Sequence, residues 1–155
     1  MKKWFTGAGQ RISFEEIVKI IKEHSASNGT VYIGSDSMLQ KQKCVFCTAI
    51  CLLGDTAQSN RYFIRRTNSN AKEFKTLLQR ITAEVQSSID MGMKLLEYCP
   101  TIKIELHLDV SNTNKKSKTS KFAEMLIGYA KGSGFDCKIK PEAFAASSVA
   151  DKHSK

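Results

Sequence analysis

Val31-Tyr32-Ile33-Gly34-Ser35-Asp36-Ser37 is a β-branched and aromatic run that carries an acid, Asp36, at its end before Ser37. Such a run reads as a buried strand. A carboxylate there is costly unless something cationic compensates it. Three other acids fall where folding could gather them around Asp36: Glu84 in a helical stretch, Asp109 closing a second strand, and Asp151 in the last stretch of sequence. Four converging carboxylates would make a site for divalent metal, and such a site points to nuclease chemistry. The plainer reading of Asp36 is a turn acid in Ser35-Asp36-Ser37.

Composition narrows the class. A chain of 155 residues fits one domain, 1–155, with one substantial core. No run approaches the roughly 18 apolar residues that span a bilayer. Met1-Lys2-Lys3-Trp4-Phe5-Thr6-Gly7 has the charges of a signal peptide but not its apolar segment, so a cytoplasmic protein is expected, with no membrane partner. The formal charge of +9, from 24 Lys+Arg against 15 Asp+Glu, favours a polyanionic partner such as nucleic acid. Cys44-x-x-Cys47 invites a zinc reading, but no second ligand pair follows at suitable spacing. Cys44, Cys47, Cys51, Cys99 and Cys137 are better read as reduced thiols, the first three inside a strand.

Outward from Asp36, the pattern predicts a helix opening at Ser13-Phe14-Glu15-Glu16, with Phe14, Ile17, Ile20 and Ile21 on one face. Strands over 30–38, 43–53 and 61–66 follow as consecutive antiparallel hairpins. A long helix over 71–98 is stopped by Pro100. Residues 102–110 alternate strictly, with Ile102, Ile104, Leu106, Leu108 and Val110 on one face and Lys103, Glu105, His107 and Asp109 on the other, so this is a strand. A polar, basic loop leads into a helix through about Lys131; a fifth strand covers 135–140 and a last helix starts near Ala145. The expected fold is α/β: a five-stranded mixed sheet, three antiparallel strands first and then alternating helices and strands, with helices on its faces and an extra N-terminal helix.

If the strands of Asp36 and Asp109 are parallel neighbours, both carboxylates meet at the edge where open α/β sheets place ligands. Leu77, Ile81, Glu84, Ser88, Met91 and Leu95 share one helical ridge, so Glu84 either faces the sheet or reaches solvent at the ridge's edge. Glu73, earlier on that ridge, is the alternative acid; Asp90 and Glu97 suit the surface. Asp151 has a competing role, because Ser148-Val149-Ala150-Asp151 has capping-box spacing. His107 shares the face of Asp109, where a histidine satisfied by a neighbour is commoner than a catalytic one. Lys115, Lys116, Lys118 and Lys121, or Arg65 and Arg66, could steer phosphate or simply face water.

Three segments carry a resemblance: Ile33-Gly34-Ser35-Asp36-Ser37, Glu105-Leu106-His107-Leu108-Asp109-Val110-Ser111, and Lys138-Ile139-Lys140-Pro141-Glu142-Ala143-Phe144-Ala145-Ala146-Ser147-Ser148-Val149-Ala150-Asp151. Together they resemble the bacterial YkuK-like family, classed as ribonuclease H-like, from about Phe14 onward. Ser35 stands where that pattern leads to Thr. The resemblance implies Asp36 as the first-strand acid, Glu84 as the acid of the following helix, Asp109 as the fourth-strand acid and Asp151 as the last-helix acid. With two Mg²⁺ or Mn²⁺ ions, the expected activity is hydrolysis of RNA, an RNA–DNA hybrid or structured DNA. A catalytically silent nucleic-acid-binding module on the same fold is the other expectation.

Overall fold

The structure, a computed structural model, describes residues 3–54, 59–111 and 122–154. Lys115, Lys116, Lys118 and Lys121 lie outside the described residues. Along the chain run β1 (Trp4–Thr6), β2 (Arg11–Ile12), α1 (Phe14–Ala26), β3 (Thr30–Gln40), β4 (Lys43–Leu52), β5 (Arg61–Asn70), a 3₁₀ turn (Ala71–Glu73) and α2 (Leu77–Tyr98). Then come β6 (Lys103–His107), α3 (Ala123–Gly132), β7 (Asp136–Lys138), a wide π-type helical turn (Ala145–Ala150) and α4 (Asp151–Ser154).

The sheet has seven strands rather than the expected five, in the order β2-β1-β5-β4-β3-β6-β7. Of the two additional strands, of three and two residues, β1 pairs antiparallel with the β5 edge and β2 with β1, and both are too short to show a period. β3, β4 and β5 are antiparallel neighbours as expected, and β6 lies parallel to β3. The sheet is therefore mixed.

Alternation along the strands separates two cores. Val31 and Ile33 of β3 and Leu106 of β6 pack with Ile17 and Ile21 of α1, Val85 and Ile89 of α2, and Leu126 of α3. Cys47, Ala49 and Cys51 of β4 pack on the other face against Ala145 and Ala150. Helices thus cover both faces. Gly34 is what lets the C-terminal segment approach, because a Cβ there would collide with the backbone of Ala145 and Ala146.

Helix α2 starts at Leu77 instead of residue 71. Thr76 caps it, accepting from Gln79 N–H at 3.1 Å while the Gln79 side chain accepts from Thr76 N–H at 3.0 Å. Residues 67–70, expected outside the strand, continue β5 as partners of β4. Among the described residues, no helix is long and apolar enough to cross a membrane.

Candidate metal centre

The β3–β6 register sets the site. Gly34 pairs with His107, so two residues further on Asp36 and Asp109 come level on the same face. β3 runs on to Gln40 whereas β6 stops at His107, so Asp36 does not end its strand as expected. Its neighbour ends instead. Asp109 lies just past β6, in the opening where the chain turns away.

From the opposite face, α2 brings Glu84 over the same strand, on the ridge expected for it. Ile81, Glu84, Ser88, Met91 and Leu95 are all buried. Ser37 Oγ donates to Glu84 Oε2 at 2.6 Å, tying the helix acid to the residue after Asp36. Below it, Ser35 Oγ lies 2.8 Å from Ser88 Oγ and 3.0 Å from Thr48 Oγ1, so the buried hydroxyls satisfy one another. Carboxylate oxygens of Asp36, Glu84 and Asp109 lie within 4.8 Å of one another. Glu73 sits exposed in the 3₁₀ turn, and Asp90 and Glu97 are also exposed, so α2 contributes Glu84 alone.

Asp151 reaches the group from the C-terminal helical segment, hydrogen-bonding to the Asp36 carboxyl. The capping reading fails because the helical segment already runs through Ser148, which is exposed within it. The cap is His107 instead. Its Nδ1 accepts from Ala145 N–H at 3.1 Å, so the ring proton sits on Nε2, which donates to Glu105 Oε1 at 3.0 Å. The ring is buried between Tyr32 and Phe144, with centroids 5.2 and 4.6 Å away. Burial lowers the His107 pKa, against the raising influence of Glu105. His107 is thus a neutral anchor for the segment that carries Asp151.

Further along, Ser154 Oγ is 3.2 Å from Asp36 Oδ2 and 3.1 Å from the Asp151 carbonyl. Tyr62 Oη lies 2.9 Å from His153 Nε2, and Arg66 donates to the His153 carbonyl at 3.2 Å. Arg66 therefore braces α4. Arg65 turns to the other face, its guanidinium 5.1 Å from the Trp4 ring centroid.

Gathering acids in a half-closed cleft of about 240 Å³ has an electrostatic consequence. Burial, then the charge of Asp109 and hydrogen bonds with Asp151 and Asp109, push Asp36 up to about 8, against the lowering effect of Ser37 N–H. Burial, followed by the charge of Asp36, also drives Glu84 well above the usual carboxylate range, although the Ser37 hydroxyl and Arg80 oppose it. Burial and mutual repulsion thus disfavour ionisation of both acids, and a bound cation would relieve that cost.

Sequence reasoning missed a cation paired with the group. Lys140 Nζ lies 2.9 Å from Asp109 Oδ1. The contact is an ion pair without hydrogen-bond alignment, since Oδ1 is buried and has no partner of that geometry. A basic residue two positions after β7 carries no periodic signal, so only the parallel β6–β7 pairing reveals it. The donor set consists of hard carboxylate oxygens from Asp36, Glu84 and Asp109, which fits a hard divalent cation. Cys44 and Cys47 do not form a second centre. Three residues apart on β4, they point to opposite faces, and both are free thiols.

A family model described as ribonuclease H-like matches residues 13–155. No curated protein matches the chain.

Proposed function

Because the chain belongs to the ribonuclease H-like family, we propose that it is a metal-dependent nuclease hydrolysing phosphodiester bonds in RNA, an RNA–DNA hybrid or structured DNA. The family supports nuclease or other nucleic-acid-related function. The observation that carries the finer reading is the meeting of Asp36, Glu84 and Asp109 oxygens within 4.8 Å. The last motif, Lys140-Pro141-Glu142-Ala143-Phe144-Ala145-Ala146 onward, favours the YkuK-like branch.

Asp36, Glu84, Asp109 and Asp151 would hold Mg²⁺ or Mn²⁺, with two ions expected and Asp36, between Asp109 and Asp151, as the shared ligand. Bound divalent metal supplies Lewis-acid activation of water and neutralises charge on the leaving oxygen. The chain's own residues supply orientation. Ser37 keeps its hydroxyl proton on Glu84 Oε2 and so fixes that carboxylate. Ser154 turns its hydroxyl to Asp36 Oδ2, and His107 holds the helical segment that delivers Asp151. Acids that repel when ionised are poised to exchange protons for a divalent ion. The formal charge of +9 supports a polyanionic substrate.

The test is cleavage of labelled RNA, RNA–DNA hybrid and junction DNA in Mn²⁺. Activity should appear on at least one substrate and vanish in Asp36→Asn and Asp109→Asn. Salt-sensitive binding without turnover on any of them would favour the silent binding module instead.

A further inference from the structure

The Lys140–Asp109 contact has features that an ordinary surface pair lacks. The backbone of Lys140 is pinned, its N–H donating to the Val110 carbonyl at 2.9 Å, while Leu108 N–H donates to the Lys138 carbonyl at 2.9 Å. These bonds extend the β6–β7 pairing and set the Lys140 Cα beside the acid. The side chain is the movable part: it is 43% exposed, whereas Asp109 is 19% exposed. Lys140 also lines the same cleft as Asp36, Glu84 and Asp109, and its charge acts on Asp36 and Asp151 as well as Asp109. A single ammonium therefore serves several acids, and among the described residues no other Lys or Arg forms an ion pair.

We propose that Lys140 is a resident cation of the carboxylate cluster: its ammonium holds Asp109 Oδ1 while metal is absent, and a divalent ion displaces it from that oxygen. This rests on the reading of the acids as metal ligands. Displacement is physically easy because the lysine stem can swing into water around a fixed Cα, whereas Asp36 and Glu84 are buried. A lysine ammonium is also a point charge that does not bind carboxylate in a rigid fork, so it yields readily to an ion that coordinates the oxygen. Lys140 is thus a positioning residue that keeps the acids assembled for loading and sets the threshold for metal binding.

Lys140→Met should then move two measurements in opposite directions. In EDTA its melting temperature falls below that of the natural chain, because the acids lose their counter-charge. In calorimetric titration with Mn²⁺ its affinity rises, on the order of tenfold, because no ammonium has to leave. Lys140→Arg, which keeps the charge, should restore the melting temperature. Lys138→Met is the charge-matched control. It removes the same charge two residues away on the β7 edge, and Mn²⁺ affinity should change far less.

Unchanged or weaker Mn²⁺ binding by Lys140→Met overturns the inference while leaving the metal site standing, provided the natural chain binds Mn²⁺. Equal tightening in Lys138→Met also overturns it, by reducing the effect to overall charge. No Mn²⁺ binding by the natural chain or by Lys140→Met sinks the metal-centre reading itself, and this inference with it.

Discussion

Replacing Asp36 by Asn removes a charge that the folded chain disfavours whenever metal is withheld, so the substitution should stabilise the protein in EDTA. The Asp36 carboxyl is raised to about 8 from 3.8. With each pH unit between those two values equivalent to about 1.4 kcal/mol, the upper limit is roughly 6 kcal/mol of destabilisation. Asp109 and Asp151 remain in place and water reaching the cleft screens part of the repulsion, so about 1–3 kcal/mol is the expected recovery. The sign follows from proton counting. Between the unfolded and folded values the folded state binds more protons, so the stability of the natural chain falls as pH rises from about 4 to about 8 and is flat beyond. The amide can still accept from Ser37 N–H and Ser154 Oγ, so little else is lost. Urea denaturation in EDTA at about pH 4 and about pH 9 checks this through the pH dependence of stability. A variant that is less stable than the natural chain by the same amount at both pH values would refute the argument.

Three further outcomes follow from the packing. Gly34→Ala should push the helical segment away from the sheet, since the new Cβ collides with Ala145 and Ala146 backbone; a loss of about 1–3 kcal/mol by denaturation, with weakened Mn²⁺ binding, is expected. His107→Phe removes the acceptor for Ala145 N–H and should cost about 1–3 kcal/mol near pH 8. Because the folded His107 pKa is lowered, its stability contribution is present above about 6.5 and is lost as pH falls, so the gap between this variant and the natural chain should narrow near pH 5. Ser37→Ala frees Glu84 Oε2 from its 2.6 Å hydroxyl partner and should weaken Mn²⁺ binding severalfold by calorimetry, with the melting temperature little changed.

The part of the site carried by regular elements was legible in the sequence. Strict alternation over 102–110 put Asp109 on one sheet face, and the helical ridge put Glu84 toward the sheet, because burial imposes those periods on the chain. What escaped depended on contacts without a period. β1 is held by pairing to the β5 edge, and β2 by pairing to β1, rather than by their own pattern. The start of α2 was recoverable, since Thr76-x-x-Gln79 is a capping box, yet the helix-forming residues before it masked the signal. The helix-start role that spacing offered for Asp151 is filled by His107, which lies 38 positions from Ala145 in sequence, and Lys140 meets Asp109 only through β6–β7 pairing. Long-range partners of this kind are set by topology.

The central claim is that Asp36, Glu84 and Asp109, joined by Asp151, hold divalent metal. Anomalous diffraction from crystals soaked in Mn²⁺ tests it most directly. The account predicts a peak coordinated by carboxylate oxygens of Asp36 and Asp109, with Glu84 or Asp151 completing the set and Lys140 Nζ moved away from Asp109. A soaked crystal with no peak in this cleft, or with Mn²⁺ bound only elsewhere on the surface, would contradict it.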